Sequence, residues 1–169
     1  MKIGVIGNGY VGGAIAHGFS PASTGTCEVK VYDVLPERSL DTLDDTVNGS
    51  DFIFVSVPTP MNKNGSISLK FIYEVFKNIN GVNRRDDNIF ILKSTVIPGT
   101  TEKLQEKYPN LNIVFNPEFL TEKSARLDFI NQDRVIIGGD KIHTSQVAKL
   151  FEDRFKYCHI IQTDYKTAE

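Results

Sequence analysis

The sequence lacks a long hydrophobic run and an excess of charge of one sign. No apolar run approaches the roughly 18 residues that a helix needs to span a bilayer, and Met1-Lys2 leads directly into an apolar segment rather than into a signal peptide. The net charge of -2 comes from interspersed charges, which give no basic stripe for nucleic acid and no polybasic patch for a membrane surface. We therefore expect a cytoplasmic protein with neither a nucleic-acid nor a membrane partner.

Cysteine is scarce, and the chain contains only Cys27 and Cys158. The two are far apart in sequence and show neither a Cys-x-x-Cys motif nor the spacing of metal ligands. We interpret both as free thiols of a reducing compartment and expect no metal site. The length of 169 residues suits one core with at most a short extension, because a domain usually contains about 100–150 residues.

Apolar, β-branched or aromatic segments recur along the chain, with helical or turn-forming segments between them. Continuous apolar segments of this length are typical of strands that are buried on both faces of a parallel sheet. The predicted strands are Lys2–Ile6, Glu28–Tyr32, Phe52–Val57, Ile89–Leu92, Asn112–Phe115, Val135–Ile137 and His159–Ile161. The predicted helices are Tyr10–Phe19, Leu69–Asn78, Thr100–Tyr108 and Thr144–Phe155. The alternation predicts an α/β fold of the Rossmann type, a doubly wound and mainly parallel sheet with helices on both faces.

A Gly-x-Gly-x-x-Gly turn follows the first predicted strand, and Asp33 ends the second. Gly7 permits the tight turn, Gly9 lets the main chain approach a pyrophosphate, and Gly12 lets the next helix pack close to the sheet. The helix N-terminus offers unpaired N–H groups to the phosphates. Asp33 lies where a carboxylate can accept hydrogen bonds from both ribose hydroxyls, which favours NAD over NADP.

Two alternatives stand beside this dinucleotide site. The glycine turn can be purely structural, with no ligand. Arg38, shortly after the acid, can hold the 2′-phosphate of NADP or be a solvated surface charge. We expect the Asp33 carboxylate to dominate the choice of cofactor.

Loops rich in polar residues, proline and glycine follow the third, fourth and fifth predicted strands. In a parallel sheet such loops all leave at the carboxyl edge, on which the glycine turn also lies, so we expect them to line one crevice. Cys158 begins the last predicted strand and is expected at the edge opposite this crevice. Neither cysteine is therefore expected to be a nucleophile.

These loops carry three polar motifs. They are Val57-Pro58-Thr59-Pro60, Lys93-Ser94-Thr95-Val96-Ile97-Pro98-Gly99-Thr100 and Asn116-Pro117-Glu118-Phe119-Leu120-Thr121-Glu122. These motifs resemble the N-terminal NAD-binding domain of the UDP-glucose and GDP-mannose dehydrogenase family. The resemblance also rests on the glycine turn, Asp33, the segment Asp133-Arg134-Val135-Ile136-Ile137-Gly138 and Thr163-Asp164. The resemblance covers almost the whole chain. It implies a cytosolic enzyme that uses NAD twice to oxidise the primary alcohol of a nucleotide sugar, such as UDP-glucose, to a carboxylate.

The resemblance also implies roles for individual residues. Those implied to contact NAD are Gly7, Asn8, Gly9, Tyr10, Val11, Gly12, Asp33, Arg38, Val57, Pro58, Thr59, Pro60, Ser94, Thr95 and Glu122. Those implied to face the sugar are Glu118, Phe119, Leu120 and Glu122. Thr95 and Glu118 are implied to be catalytic, because together they would hold the water that relays the alcohol proton and later hydrolyses the intermediate. The alternatives are that Thr95 caps a helix or a turn and that Glu118 is an exposed loop acid or an N-cap.

The sequence departs from the family pattern in places. The segment between Asp33 and Asp51 is shorter than in the family, and Lys123 stands where the family has a glycine, next to Glu122. The central helix of the family would begin at residues 163–169, and its catalytic cysteine would lie farther on. We therefore expect an NAD-binding domain over residues 1–162 and the start of a connecting helix over residues 163–169, in a family whose full-length members are implied to be homodimers.

The remaining candidates are weaker. Lys93 could aid phosphate or sugar binding, but we expect a buried stem with a solvated head group. His17, His143 and His159 occur singly and are expected on helix surfaces or strand ends rather than in a catalytic site. The rival function is a stand-alone module that binds NAD or a nucleotide sugar without turnover. A different dehydrogenase of the same fold, such as a hydroxyacid type, is disfavoured by the Asn-Pro-Glu-Phe-Leu stretch.

Overall fold

The computed structural model describes residues 1–25 and 27–169. The strands are β1 (Lys2–Ile6), β2 (Glu28–Tyr32), β3 (Phe52–Val55), β4 (Ile89–Leu92), β5 (Asn112–Phe115), β6 (Arg134–Gly138) and β7 (His159–Thr163). The helices are α1 (Tyr10–Gly18), α2 (Pro21–Thr24), α3 (Leu43–Asn48), α4 (Lys70–Val82), α5 (Thr100–Lys107), α6 (Ala125–Ile130), α7 (Lys141–Arg154) and α8 (Tyr165–Ala168), with a 3-10 turn at Pro36–Arg38.

The strands form one sheet in the order β2-β1-β3-β4-β5-β6-β7. Strands β1 to β5 are parallel, which confirms the predicted fold class. Strand β6 runs antiparallel to β5, paired through Phe115 and Gly138, and β7 is parallel to β6. The sequence did not predict this reversal. Its physical reason is that α6 has six residues and is only about 9 Å long, so the chain does not return to the amino edge before β6 begins.

Two apolar layers cover the faces of the sheet, as strands buried on both faces require. In β3, Ile53 points into one layer and Phe54 into the other, and both side chains are fully buried. Helices α1, α6 and α7 pack on the Phe54 face, and α3, α4, α5 and α8 pack on the Ile53 face. The prediction of helices on both faces is therefore confirmed.

Several elements differ from the sequence prediction. Strand β3 ends two residues earlier than predicted, and α2, α3 and α6 were not predicted. Helix α3 is held by its N-cap, since Thr42 Oγ1 accepts a hydrogen bond from the Asp45 N–H at 3.1 Å, and it buries only Thr46 and Val47. Such a short helix with two buried residues gives little periodic signal. Among the described residues, no helix combines the length and the hydropathy that crossing a bilayer requires.

Helix α8 docks onto the sheet at the reversal between β5 and β6. The Asp164 side chain caps it by accepting the Thr167 N–H at 2.9 Å, as the sequence predicts for a helix start at this point. The Tyr165 hydroxyl donates to the Ile113 carbonyl oxygen in β5 at 2.9 Å. Gly138 in β6 packs against α8 so closely that a β-carbon there would overlap Ala168. Residues 163–169 thus contact the same sheet as the rest of the domain.

Candidate functional site

The glycine turn contains two kinds of glycine. Gly7 has a φ of +93°, a left-handed backbone that favours glycine, and a β-carbon there would overlap the Ser56 carbonyl oxygen. A β-carbon at Gly12 would overlap the Gly7 carbonyl oxygen. Gly7 and Gly12 are therefore needed by the turn itself.

Gly9 is different, because a β-carbon there would meet no described atom within 4 Å. It is the N-cap residue of α1, and no side chain among the described residues caps this helix end. The first N–H groups of a helix have no partner within the helix. The space beside Gly9 is thus open, and polar donors face it.

The Asp33 carboxylate connects the end of β2 to the glycine turn. Its Oδ2 accepts the Asn8 N–H at 2.6 Å, and its Oδ1 accepts the Leu35 N–H at 2.9 Å. The Asp33 N–H donates to Ser39 Oγ at 3.1 Å, and the Asn8 Nδ2 donates to the Arg38 carbonyl oxygen at 2.7 Å. The sequence indicated Asp33 and Asn8 as cofactor residues but missed their mutual contact and the part of Ser39, since no local signal encodes them.

Two cavities flank the glycine turn. One, of about 260 Å³, lies between the ends of β1, β2 and β3 and is lined by Ile6, Gly7, Tyr32, Asp33, Val34, Val57, Pro58, Phe71, Glu74, Val75 and Asn78. The other, of about 530 Å³, is lined by Asn8, Gly9, Tyr10, Gly13, Ala14, Arg38 and residues 122–127. The structure thus brings Asp33, Val57 and Pro58 together in the first cavity, and Gly9, Tyr10, Arg38 and Glu122 together in the second.

The loops after β3 and β4 are joined to each other. Ser94 Oγ donates to the Val57 carbonyl oxygen at 2.7 Å. Within the loop after β3, the Pro60 carbonyl oxygen accepts the Ser68 N–H at 2.8 Å. Thr59 is half-buried, Val11 in α1 is also half-buried, and Thr95 is exposed in the loop after β4. All these residues lie at the carboxyl edge, as predicted, although Thr95 does not line either cavity beside the glycine turn.

Glu169 covers the N-terminus of α5 beyond this loop. Its carboxylate accepts the backbone N–H groups of Gly99 and Thr101, the latter at 2.6 Å. Gly99 has a φ of +90° and is the N-cap residue of α5. The last described residue is therefore bonded to the loop that carries Thr95.

The most unusual group at this edge is Lys93, whose side chain is 3% exposed. Its Nζ donates to Asn116 Oδ1 at 2.9 Å and lies 3.3 Å from Glu118 Oε2. Burial lowers the pKa of the Lys93 ammonium, and the Glu118 charge acts in the opposite direction. The prediction that Lys93 has a solvated head group is therefore wrong, because the ends of β4 and β5 enclose that head group.

The Glu118 loop is held at several points. Glu118 Oε1 accepts the Phe119 and Leu120 N–H groups at 2.7 and 2.9 Å, and the Arg134 guanidinium lies 4.9 Å from the centre of the Phe119 ring. A third cavity, of about 360 Å³, is lined by Lys93, residues 116–120, Asp128 and residues 131–134.

Asp128 in α6 holds the next part of the loop. Its Oδ2 accepts the Thr121 N–H at 2.9 Å, the Thr121 hydroxyl at 2.8 Å and the Ser124 hydroxyl at 2.9 Å. These hydrogen bonds lower the pKa of the Asp128 carboxyl. Glu122, one residue after Thr121, is exposed. The interpretation of Glu118 as an exposed loop acid is not what the structure shows, since its side chain is 13% exposed.

The two cysteines differ in position. Cys27 is buried and Cys158 is half-buried, and both are free thiols. Because β7 runs antiparallel to β1–β5, the residue before it lies at the carboxyl edge, so the expectation that Cys158 lies at the opposite edge is wrong. Burial and the charge of Asp133 raise the pKa of the Cys158 thiol, which disfavours the reactive thiolate.

The geometry at the carboxyl edge is that of a dinucleotide-binding domain of the Rossmann type. Residues 37–155 match the family model described as "UDP-glucose/GDP-mannose dehydrogenase family, NAD binding domain". The chain belongs to this family and comprises its NAD-binding domain.

Comparisons with individual proteins agree with this assignment. The chain is 31% identical over 202 residues to the uncharacterised protein MJ1054 of Methanocaldococcus jannaschii, covering 100% of this chain and 23% of that protein. It is 30% identical over 205 residues to UDP-glucose 6-dehydrogenase of Rickettsia conorii, covering 100% of this chain and 46% of that protein. The solved structure of UDP-D-ManNAc dehydrogenase from Pyrococcus horikoshii shares the fold, with a TM-score of 0.86, 24% identity, and coverage of 100% of this chain and 48% of that one. The chain therefore spans less than half the length of these relatives.

Proposed function

We propose that the chain is the cofactor-binding half of a cytoplasmic, NAD-dependent nucleotide-sugar 6-dehydrogenase of the UDP-glucose 6-dehydrogenase type. The observation that carries this proposal is the enclosed Glu118 carboxylate, 3.3 Å from the Lys93 ammonium, at the same sheet edge as the glycine turn. A domain that only bound a dinucleotide would have no need of a buried, ion-paired acid beside the cofactor crevice, because burying charges costs free energy.

The residues beside the glycine turn fit NAD. The open space at Gly9 lets a pyrophosphate approach the N-terminus of α1, since a β-carbon there is the group that would occupy it. Asp33 retains free lone pairs for the ribose hydroxyls, because each carboxylate oxygen accepts more than one hydrogen bond. The cavity between β1, β2 and β3 has apolar walls that suit an adenine ring.

The cofactor contacts that we propose are those implied by the family motifs. They are Gly7, Asn8, Gly9, Tyr10, Val11, Gly12, Asp33, Arg38, Val57, Pro58, Thr59, Pro60, Ser94, Thr95 and Glu122. When bound, NAD accepts the hydride.

The loops after β4 and β5 supply the route for the proton. The oxidised alcohol loses a proton as well as a hydride, and Glu118 with Thr95 would hold a water that accepts this proton. Phe119, Leu120 and Glu122 would face the sugar with Glu118. Holding the sugar and the water in one orientation is itself catalytic, since it replaces a bimolecular encounter by a fixed geometry.

The oxidation of an alcohol to a carboxylate needs a nucleophile that keeps the aldehyde bound between the two hydride transfers. Cys27 is buried, and Cys158 has a raised pKa, so we propose that the thiolate comes from a part of the enzyme beyond Glu169. In this assignment residues 1–162 form the NAD-binding domain, residues 163–169 begin the connecting helix, and the whole enzyme is a homodimer.

The test is NADH production from UDP-glucose, measured with the protein at its full encoded length and with residues 1–169 alone. We expect turnover by the former and none by the latter, and loss of turnover in Glu118→Gln but not in Glu106→Gln, an exposed acid on α5. Turnover by residues 1–169 that disappears in Cys158→Ser would overturn the division into two halves. A full-length protein that binds NAD and nucleotide sugar without forming NADH would favour the stand-alone binding module.

A further inference from the structure

The Lys93 ammonium lies where three strands of the sheet meet. It projects from the carboxyl end of β4 and donates to Asn116 Oδ1, at the end of β5, at 2.9 Å. The Asn116 Nδ2 donates to the Ile136 carbonyl oxygen in β6 at 2.7 Å. Asn116 is 2% exposed, and its amide is bonded at both ends, so its oxygen is turned toward Lys93. The antiparallel strand β6 thus fixes the ammonium through Asn116.

The two oxygens of Glu118 have different partners. Oε1 accepts two backbone N–H groups of its own loop, from Phe119 and Leu120. Oε2 is buried, accepts no hydrogen bond from the described residues, and has the Lys93 ammonium as its charge partner. The orientation of the carboxylate is therefore determined from one side by the loop and from the other by Lys93.

We propose that Lys93 is a positioning residue for Glu118, which orients the carboxylate toward the reacting sugar and supplies the positive charge beside it. This inference rests on the proposed function, because it presupposes the role of Glu118 in handling the alcohol proton. A buried carboxylate without a cation would be protonated more readily, and a protonated Glu118 could not accept a proton through the bound water.

Other charges face the same cavity and act on the pair. Asp128 and Asp133 are acidic, and Arg134 is the second cation. The Asp128 carboxylate is already occupied by Thr121 and Ser124, and the Arg134 guanidinium packs on the Phe119 ring. Among the described residues, Lys93 is the cation within ion-pair distance of Glu118, so its removal is the substitution that most changes the charge next to that carboxylate.

The direct test is a pH titration of the Glu118 carboxyl carbon by NMR, with the signal assigned from Glu118→Gln. We expect Lys93→Met to move the midpoint of this titration to higher pH, because the adjacent opposite charge is lost. Lys93→Arg should restore a titration close to that of the wild type, and Lys149→Met, an exposed lysine of α7, should leave it unchanged. An identical Glu118 titration in wild type and Lys93→Met overturns the inference.

The second readout is the pH profile of NADH production at full encoded length. In Lys93→Met we expect the acidic limb of kcat to move to higher pH, with the KM for NAD nearly unchanged, and Lys93→Arg should recover most of the rate. If Glu118→Gln abolishes turnover while Lys93→Met has the wild-type profile, the inference fails and the proposed function stands. If Glu118→Gln retains the wild-type rate, the proposed role of Glu118 fails and the inference fails with it.

Removing one partner of a buried ion pair can prevent folding, so a double variant completes the design. Lys93→Met combined with Glu118→Gln removes both charges, and we expect it to unfold at a higher temperature than Lys93→Met alone. If the double variant loses as much thermal stability as the two single variants together, the side chains do not interact, and the inference is overturned.

Discussion

The Asp33 carboxylate accepts the backbone N–H of Asn8 at 2.6 Å, across the gap between β2 and the glycine turn. The acid that the sequence assigns to the ribose thus also holds the turn that faces the pyrophosphate. Because this hydrogen bond and the one from Leu35 are already formed, the carboxylate is oriented before a cofactor binds. Its two functions predict different outcomes for different substitutions.

Asp33→Ala should weaken NAD binding by roughly 1–3 kcal/mol, since it removes a charged acceptor from the ribose and from the turn. Asp33→Asn should weaken it less, because an amide oxygen can still accept one of these hydrogen bonds. The ratio of the affinity for NAD to the affinity for NADP should fall in both variants. Titration calorimetry with the two cofactors measures this, with Asp153→Ala on the exposed face of α7 as the control. NADP binding as tight as NAD in the wild type would contradict the assignment of Asp33.

Gly12→Ala and Gly13→Ala, neighbouring changes in α1, should have opposite effects on the thermal transition. At Gly12 the new methyl group would overlap the Gly7 carbonyl oxygen, and we expect this overpacking to lower the free energy of unfolding by about 1–3 kcal/mol. A β-carbon at Gly13 would have Asn8 Oδ1 as its nearest described atom, at 3.5 Å. Alanine there should raise the free energy of unfolding by roughly 0.5–1 kcal/mol, because it favours helix. Equal effects of the two changes would show that the turn is not closely packed.

Asp128→Asn should lower the free energy of unfolding at neutral pH, and the difference from the wild type should disappear in acid. Hydrogen bonds from Thr121 and Ser124 hold the pKa of Asp128 below its usual value. A carboxyl with a lowered folded-state pKa stabilises the fold above its unfolded pKa of about 3.9, and loses that contribution as the pH falls through the folded pKa. The measurement is urea unfolding at a series of pH values for wild type and Asp128→Asn. A stability difference that stays constant down to the acid limit would refute this account of the loop.

The amino acid pattern was sufficient for the parallel part of the sheet. Strands β1, β2, β4 and β5 have the predicted bounds, because each is a short segment rich in apolar, β-branched or aromatic residues between turn signals. The direction of β6 could not be predicted in this way, since hydrophobicity does not encode strand direction. It depends on the short helix α6 and on a single residue pair, Phe115 with Gly138.

The candidate site shows a similar division. The glycine turn, Asp33 and the Glu118 motif are local in sequence, so the sequence alone was sufficient to predict them as site residues. The burial of Lys93 was not predicted, because a buried lysine is almost always paired, and its partners Asn116 and Glu118 lie more than 20 residues away in sequence, in the loop after β5. The position of Cys158 was missed for the same reason as the direction of β6.

The most direct measurement of the central claim, that the carboxyl edge binds NAD at the glycine turn, is a calorimetric titration of NAD into the wild type, Gly9→Val and Gly81→Ala. At both glycines, the position that a β-carbon would occupy has no described atom within 4 Å, so both variants should fold in the absence of ligand, and Gly81→Ala should unfold at a slightly higher temperature than the wild type because alanine favours helix. The account predicts that Gly9→Val loses NAD binding while Gly81→Ala, on α4, binds as the wild type does. Wild-type NAD affinity in a folded Gly9→Val variant would contradict it.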